Sequence, residues 1–572
     1  MTLRSLRTAG LLAVLALGCG SSQSAPQPVV TTTSAAPLPQ TAPAPPASIS
    51  AIAKGALHLP DLGDYRRNVS VAPGEAREYF DQGLRLTYAF NHDEAARSFA
   101  RAAELDPSCA ICFWGASLVL GPNYNVPMLP DRSKAAWEAL QRAIVLAPYT
   151  SPLERALIDA LSHRYKGPEP LDPVAMAPFN VAYADAMRGV ASRYPDDPDV
   201  LVLAAEARMD VNPWKLWSND GKPADGTGEI VALLERALAR EPLHPGANHY
   251  YIHAVEASTT PERALRSAER LGALMPGAGH VVHMPAHIFQ RVGRYADASE
   301  ANEKAAKVDV DYIERAKPTG YYPMYLGHNY GFLSFSSSME GRRETSLAAA
   351  RKAAEAIPPG MIDMMPGMDF FVSEPIFAMV RFGRWDDLLS EPRPLRKYPV
   401  FTGIWLHGHG MALAAKGRIG EARRDHAELV ELLANLPPKM QASQNAASDV
   451  LGLAAKILEA RIATIEKKPG ALALWADAVQ RGDRLSYAEP DDWFYPVRHY
   501  QAAALLGAGR AKEAEAVYRE DLKRHPNNGW ALYGVWKSVA AEKKPSAEVT
   551  AAKDAFDAAW KRADFALATT AP

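Results

Sequence analysis

From residue 75 onward one pattern recurs: an apolar helix, a short turn and a second helix, again and again. In 80–107, FDQGLRLTYAFNHDEAARSFARAAELDP, the first helix carries Gly83, the second carries Ala95, Phe99 and Ala102, and Pro107 closes the unit. Small residues at Gly83 and Ala95 let the two helices approach closely. The shape returns at 245–276, 278–311 (turn at Val292-Gly293-Arg294-Tyr295), 320–358 (Gly341), 403–437 (Gly417), 494–526 (Gly509) and 529–565. Segments 151–198 and 199–242 match more weakly. No convincing period-2 strand interrupts the series. One such pair leaves an apolar face in water, so each unit must stack on the next. A stack grows without a single closed core. The prior of roughly four domains from chain length therefore yields to one array.

The unit resembles the tetratricopeptide repeat (TPR), a helix–turn–helix of roughly 34 residues. The resemblance implies an all-α fold, a TPR-type right-handed α-solenoid over residues 57–568 with about nine to twelve helical pairs. It also implies a concave groove lined by the first helix of each pair. In the repeat pattern, inner-facing residues lie six, ten and thirteen positions before the turn glycine. Before Gly293 these are His287, His283 and His280. With Thr259 at the turn of the preceding unit, six and ten positions earlier are His253 and His249, and thirteen before Gly341 is His328.

Histidines three or four apart share a helix face, and two imidazoles one turn apart suit a metal ion. Six of the 15 histidines thus point toward one groove. The expected ligands are His249, His253, His283 and His287, with His280 and His328 as further ligands or supports. Copper, zinc or iron suits this donor set better than calcium or magnesium. The competing reading is a metal-free polar groove, with Tyr250, Tyr251, Tyr321, Tyr322 and Glu256 as hydrogen-bond partners. Glu256, one turn beyond His253, is the candidate to orient water or act as a base.

Cys109 and Cys112 precede the small residue Gly115 by six and three, as His280 and His283 precede Ala286. They are read as a soft metal site, a disulfide or two small helix residues. Phe113 stands where c-type haem attachment needs histidine. Met361, Met364, Met365 and Met368 are read as adaptable packing or, alternatively, as soft copper ligands. The chain is also similar to TPR proteins sharing CAxCxWGxxLxLGPN and HMPxHIxxRxGRY. It matches at Cys109, Cys112, Trp114, Gly115, Gly121-Pro122-Asn123, His283-Met284-Pro285, His287 and Gly293-Arg294-Tyr295. It departs at Gly331, where those proteins often carry a second histidine. The resemblance implies no particular activity.

The N-terminus carries Arg4 and Arg7, then an apolar run from Ala9 to Gly18, too short to span a bilayer. Cys19 after Ala16-Leu17-Gly18 resembles the lipobox of bacterial lipoproteins. That implies a signal peptide over 1–19, lipid on Cys19, and a place in the cell envelope; Gly20 favours the outer membrane. Residues 20–56 are Ser/Thr/Pro/Ala-rich and nearly uncharged, and are expected to be a disordered tether.

Apolar residues make up 48% and charged residues 22%, which excludes a wholly disordered chain and a multi-span membrane protein. The net charge of −2 gives no basic excess for nucleic acid. There is no phosphate-binding Gly-rich loop, no Gly-x-Ser-x-Gly and no His-Glu-x-x-His. Three functions remain. The first is a lipid-anchored scaffold whose groove, with its His-rich metal site, engages a protein, peptide or small molecule. The second is a metal-dependent oxidase or hydrolase. The third is metal storage or delivery through the Cys and Met segments.

Overall fold

The structure, a computed structural model, describes residues 44–318, 320–364 and 366–572. The signal peptide with Cys19, tether residues 20–43 and Met365 lie outside the described residues. The fold is an all-α array of TPR-type helix–turn–helix repeats. Among the described residues twelve helical pairs run from Glu75–Tyr88 with His92–Leu105 to Gly529–Ala541 with Ser546–Ala559. The strands described are one short antiparallel pair, Gln441–Ala442 with Asn445–Ala446.

Local chemistry sets the helix ends. Ser151 and Glu154 form a capping box, and Asn91, Asp172, Asp197 and Asn528 each accept a backbone N–H of the first turn. The turn at Gly293 is left-handed, with φ of 76°. A Cβ there would also lie 2.4 Å from the carbonyl oxygen of Pro526, so only glycine serves both the turn and this approach. Within the first repeats, Phe99 packs between two glycines. A Cβ added at Gly83 or Gly115 would come within 2.8 or 2.7 Å of its ring.

The array winds tightly enough for distant repeats to touch. Pro245–Val255 packs on Glu75–Tyr88. The Tyr321 hydroxyl donates to the Phe90 carbonyl at 2.7 Å, Trp530 Nε1 to the Ser338 carbonyl at 2.8 Å, and Asn219 Nδ2 to the Leu485 carbonyl at 2.8 Å. Side chains therefore fill the inner face at the histidines, where the repeat pattern alone predicts an open groove.

Three expectations are corrected. Residues 47–53, assigned to the tether, form helix Ala47–Ala53; it buries Ile49 and Ala53, and the Ser48 hydroxyl donates to Glu138. Two apolar residues on one helical face suffice when a finished surface is present to receive them. Cys109 and Cys112 are joined in a disulfide, so neither thiolate is free to ligate a metal. Packed structure also continues past residue 568, where Thr570 Oγ1 donates to the His499 carbonyl at 3.1 Å and Arg461 Nη2 to that of Pro572 at 2.8 Å. Met368 lies in the core, as the packing reading expects.

Candidate metal centre

Helix Pro245–Val255 starts with proline at its first position and is capped by His244 Nδ1, which accepts the Ala247 N–H at 3.2 Å. It carries His249 and His253 one turn apart. The next pair opens with Gly279–His283 and Pro285–Arg291, broken at Met284. Pro285 has no N–H to continue the ladder, and the His287 N–H instead donates to the Met284 carbonyl at 3.2 Å. His280, His283 and His287 still share a face. His328 comes from Pro323–Met339.

The structure brings all six together. Ring centroids lie 5.0 Å apart for His249–His253 and His249–His280, 5.9 Å for His280–His283, 4.7 Å for His283–His287 and 4.8 Å for His283–His328. His328 is half-buried and the other five are at most 1% exposed. Three groups place three ligand atoms within 4.8 Å of one another: His249, His253 and His280; His283, His287 and His328; and, between them, His253, Glu256 and His287.

Hydrogen bonds fix which nitrogen carries the proton in four of the rings. His249 Nδ1 lies 2.6 Å from the Tyr88 carbonyl and His253 Nδ1 lies 2.8 Å from Glu256 Oε1. His283 Nδ1 lies 2.6 Å from Asn302 Oδ1, whose amide is oriented by Nδ2 donating to the Ala298 carbonyl at 2.7 Å. His287 Nδ1 contacts the carboxylates of Glu256 and Glu489. The carbonyl, amide and Glu256 carboxylate oxygens only accept, so the Nδ1 of each of these four rings is a donor and, where the ring is neutral, its lone pair is on Nε2. Among the described residues the Nε2 atoms of His249 and His253 have no hydrogen-bond partner, nor has either nitrogen of His280. Those of His283 and His287 face each other at 2.8 Å, a repulsive contact unless a proton or a metal cation lies between.

Burial, reinforced by the neighbouring imidazoles, holds His249, His280 and His283 well below the usual histidine range and His328 at about 3. Burial also lowers His253, against the pull of Glu256. His287 is the exception. Burial pushes it down, but Glu256 and Glu489 outweigh this and lift it to about 10. The metal-free centre therefore keeps one proton on His287, whose Nε2–H donates to His283. Burial and then the Glu256 charge push Glu489 well above the carboxylate range, whereas His287 and His253 hold Glu256 well below it against burial.

Both Glu256 oxygens are committed to histidine Nδ1 atoms. Its geometry is that of an orienting group, and the base role expected of it does not fit. A carboxylate or carbonyl behind Nδ1, with Nε2 aimed inward, is the arrangement that holds metal-ligating histidines. The sequence reading missed Glu489, Asn302 and the Tyr88 carbonyl. It also missed the aromatic wall. Phe90 lies 4.7 Å from His249, Phe332 4.6 Å from His283, Tyr325 4.5 Å from His280 and Tyr124 5.2 Å from His253. Phe90 and Tyr124 arrive from distant repeats, and no spacing rule connects them to the histidines, whereas Tyr325 and Phe332 lie three residues before and four after His328 on its own helix. Among the described residues no hydrogen bond or ring contact joins Cys109 or Cys112 to the cluster.

No protein-family model matches the chain, and no curated protein matches it. Solved structures do. Human IFIT1, as a dimer with m7Gppp-AAAA, is 12% identical over 91% of this chain and 95% of its own, with a TM-score of 0.32. Cut9 in the APC/C Cut9–Hcn1 hetero-tetramer is 13% identical over 82% and 78%, with a TM-score of 0.32. The TPR domain of P58(IPK) is 14% identical over 82% and 99%, with a TM-score of 0.22.

Proposed function

We propose that the protein holds transition-metal ions, copper, zinc or iron, on its buried histidines and uses them on a small molecule. The observation that carries this is a set of buried imidazole nitrogens that converge without hydrogen-bond partners among the described residues, Nε2 of His249 and His253 and both nitrogens of His280, beside the facing Nε2 atoms of His283 and His287. Burying that many unsatisfied nitrogens costs stability unless a cation takes them up. Two groups of three histidines supply two ions with three protein ligands each. Catalytic zinc sites have that number and keep an open position, whereas structural ones are closed by four. Five of the six rings are enclosed, so a small molecule suits the centre better than a protein partner. A bound ion would supply Lewis-acid or redox chemistry. The chain's own residues would orient the ligands, exclude water and, through Glu256 and Glu489, hold the proton that a metal displaces from His287. The storage reading loses the cysteines on which it relied.

The same proposal places the protein in the cell envelope, lipid-anchored through Cys19. The N-terminal pattern supports this, and so does the Cys109–Cys112 disulfide, since disulfides persist in oxidising compartments. Among the described residues no helix is long and apolar enough to cross a membrane.

Elemental analysis of the purified protein tests the reading. Stoichiometric copper, zinc or iron is expected, and His283→Ala with His287→Ala should lose the ion that these two hold with His328 while keeping the helical circular dichroism signal. Protein that carries no metal and takes up none of the three on titration overturns the proposal.

A further inference from the structure

Two cavities meet at the C-terminal end of the histidine helices. The larger, of about 370 Å³, lies where 218–221 and 257–259 face 479–498 and 521–525. The smaller, of about 20 Å³, continues inward to Phe335 and Glu489. Arg291, Tyr487, Asp491, Arg524 and His525 line both, so the two form one path. Its inner end is Glu489, whose carboxyl touches His287. The path thus runs from the larger cavity to the wall of the histidine cluster.

The cations on this path differ. Arg498 and Arg524 both pair with Asp483 at 2.7 Å, Lys523 pairs with Glu520 at 2.6 Å, and His525 pairs with Asp491 and Asp521. Arg291 has no carboxylate within 4.0 Å among the described residues. Its Nε and Nη2 donate instead to the backbone carbonyls of Glu256 at 3.0 Å and Ser258 at 3.1 Å, and its guanidinium lies 5.4 Å from the centre of the Tyr487 ring. These contacts hold the group in place with no ion pair of its own, although its charge also acts on Asp491, and a guanidinium held this way can receive an oxyanion. Arg291 follows His287 by four residues, so the two project from one helix face about 5–6 Å apart. Asp483, Asp491, Asp492 and Asp521 also line the larger cavity, which disfavours a doubly charged phosphate relative to a single carboxylate.

Resting on the metal-centre reading, we propose that this cavity binds a small molecule beside the centre, on the Nδ1 side of His287. That molecule carries one carboxylate, paired with Arg291. Glu489 forms the wall between the bound molecule and His287. At about 370 Å³ the space is at the small end of ligand sites, which suits a compact acid better than a peptide.

The test is calorimetric titration of the full protein with acetate, hexanoate and benzoate, each beside its uncharged amide, and with inorganic phosphate. At least one carboxylate should bind tenfold more tightly than its amide and than phosphate. Arg291→Leu should weaken it at least tenfold with metal content unchanged, and Arg291→Lys should fall between. Ser486→Trp, a bulky replacement elsewhere in the lining, should also weaken it. Carboxylates that bind no better than their amides, tighter binding of phosphate, or undiminished binding in Arg291→Leu each overturn the inference. Arg291-dependent carboxylate binding in protein that never holds metal would sink the metal reading and leave the cavity assignment standing. Metal-loaded protein indifferent to carboxylates would do the reverse.

Discussion

Glu256→Gln probes the centre without removing a ligand nitrogen. The native carboxylate accepts Nδ1–H from both His253 and His287. An amide of the same shape offers one oxygen and one NH₂, so one of the two rings meets a donor where it had an acceptor. That ring turns or changes tautomer, and its lone pair leaves Nε2. Loss of such an outer partner costs about 10–100-fold in metal affinity, or about 1.4–2.8 kcal/mol. One effect runs the other way. Glu256 also helps to keep the proton on His287 that a metal must displace. A divalent ion carries twice the charge of that proton, so the lost carboxylate weakens the metal more, and the net change remains a loss. The assay is competition for zinc against a chromophoric indicator at pH 7, with near-ultraviolet circular dichroism to confirm native packing. A variant that binds zinc within threefold of the wild type, or more tightly, refutes the assignment of Glu256 as the group that fixes both rings.

Phe99 between Gly83 and Gly115 is a packing test. Gly83→Ala or Gly115→Ala should lower stability by about 1–3 kcal/mol through overpacking, and Phe99→Ala by about 3–5 kcal/mol, read from denaturant midpoints. His525, facing Asp521 and Asp491, is raised from 6.5 to about 9 by their charges and hydrogen bonds against burial. A raised histidine stabilises fully below its unfolded value, and that contribution fades as pH rises through the folded one. The melting temperature should therefore fall between pH 6.5 and 9, by the equivalent of up to about 3 kcal/mol, and His525→Gln should flatten that slope. Replacing Cys109 and Cys112 by alanine opens a very short loop worth about 2 kcal/mol on the chain-entropy scale. Stability should fall by no more than that, and metal stoichiometry should not change.

The repeat was legible because it is a local pattern. Helix periodicity, the turn glycines and the small residues at Gly83 and Ala95 each depend on neighbours within one unit, and nearby residues determine them. The six histidines were legible for the same reason: inner-facing positions of consecutive units lie at fixed offsets from Gly293, Thr259 and Gly341. What surrounds them was not. Glu489 reaches His287, the Tyr88 carbonyl reaches His249, and Phe90 lies over the cluster because small rotations between successive repeats accumulate until distant units meet. No pair of residues in the sequence encodes that sum. It also changed the character of the site. The periodic pattern describes an open groove, whereas the winding closes it, buries the imidazoles and leaves Arg291 facing a cavity shared with 479–525. The residue types available for chemistry are a property of the sequence. Their protonation, their enclosure and the route to them come from the tertiary structure, because burial and long-range contact set the energy of a charge or a lone pair.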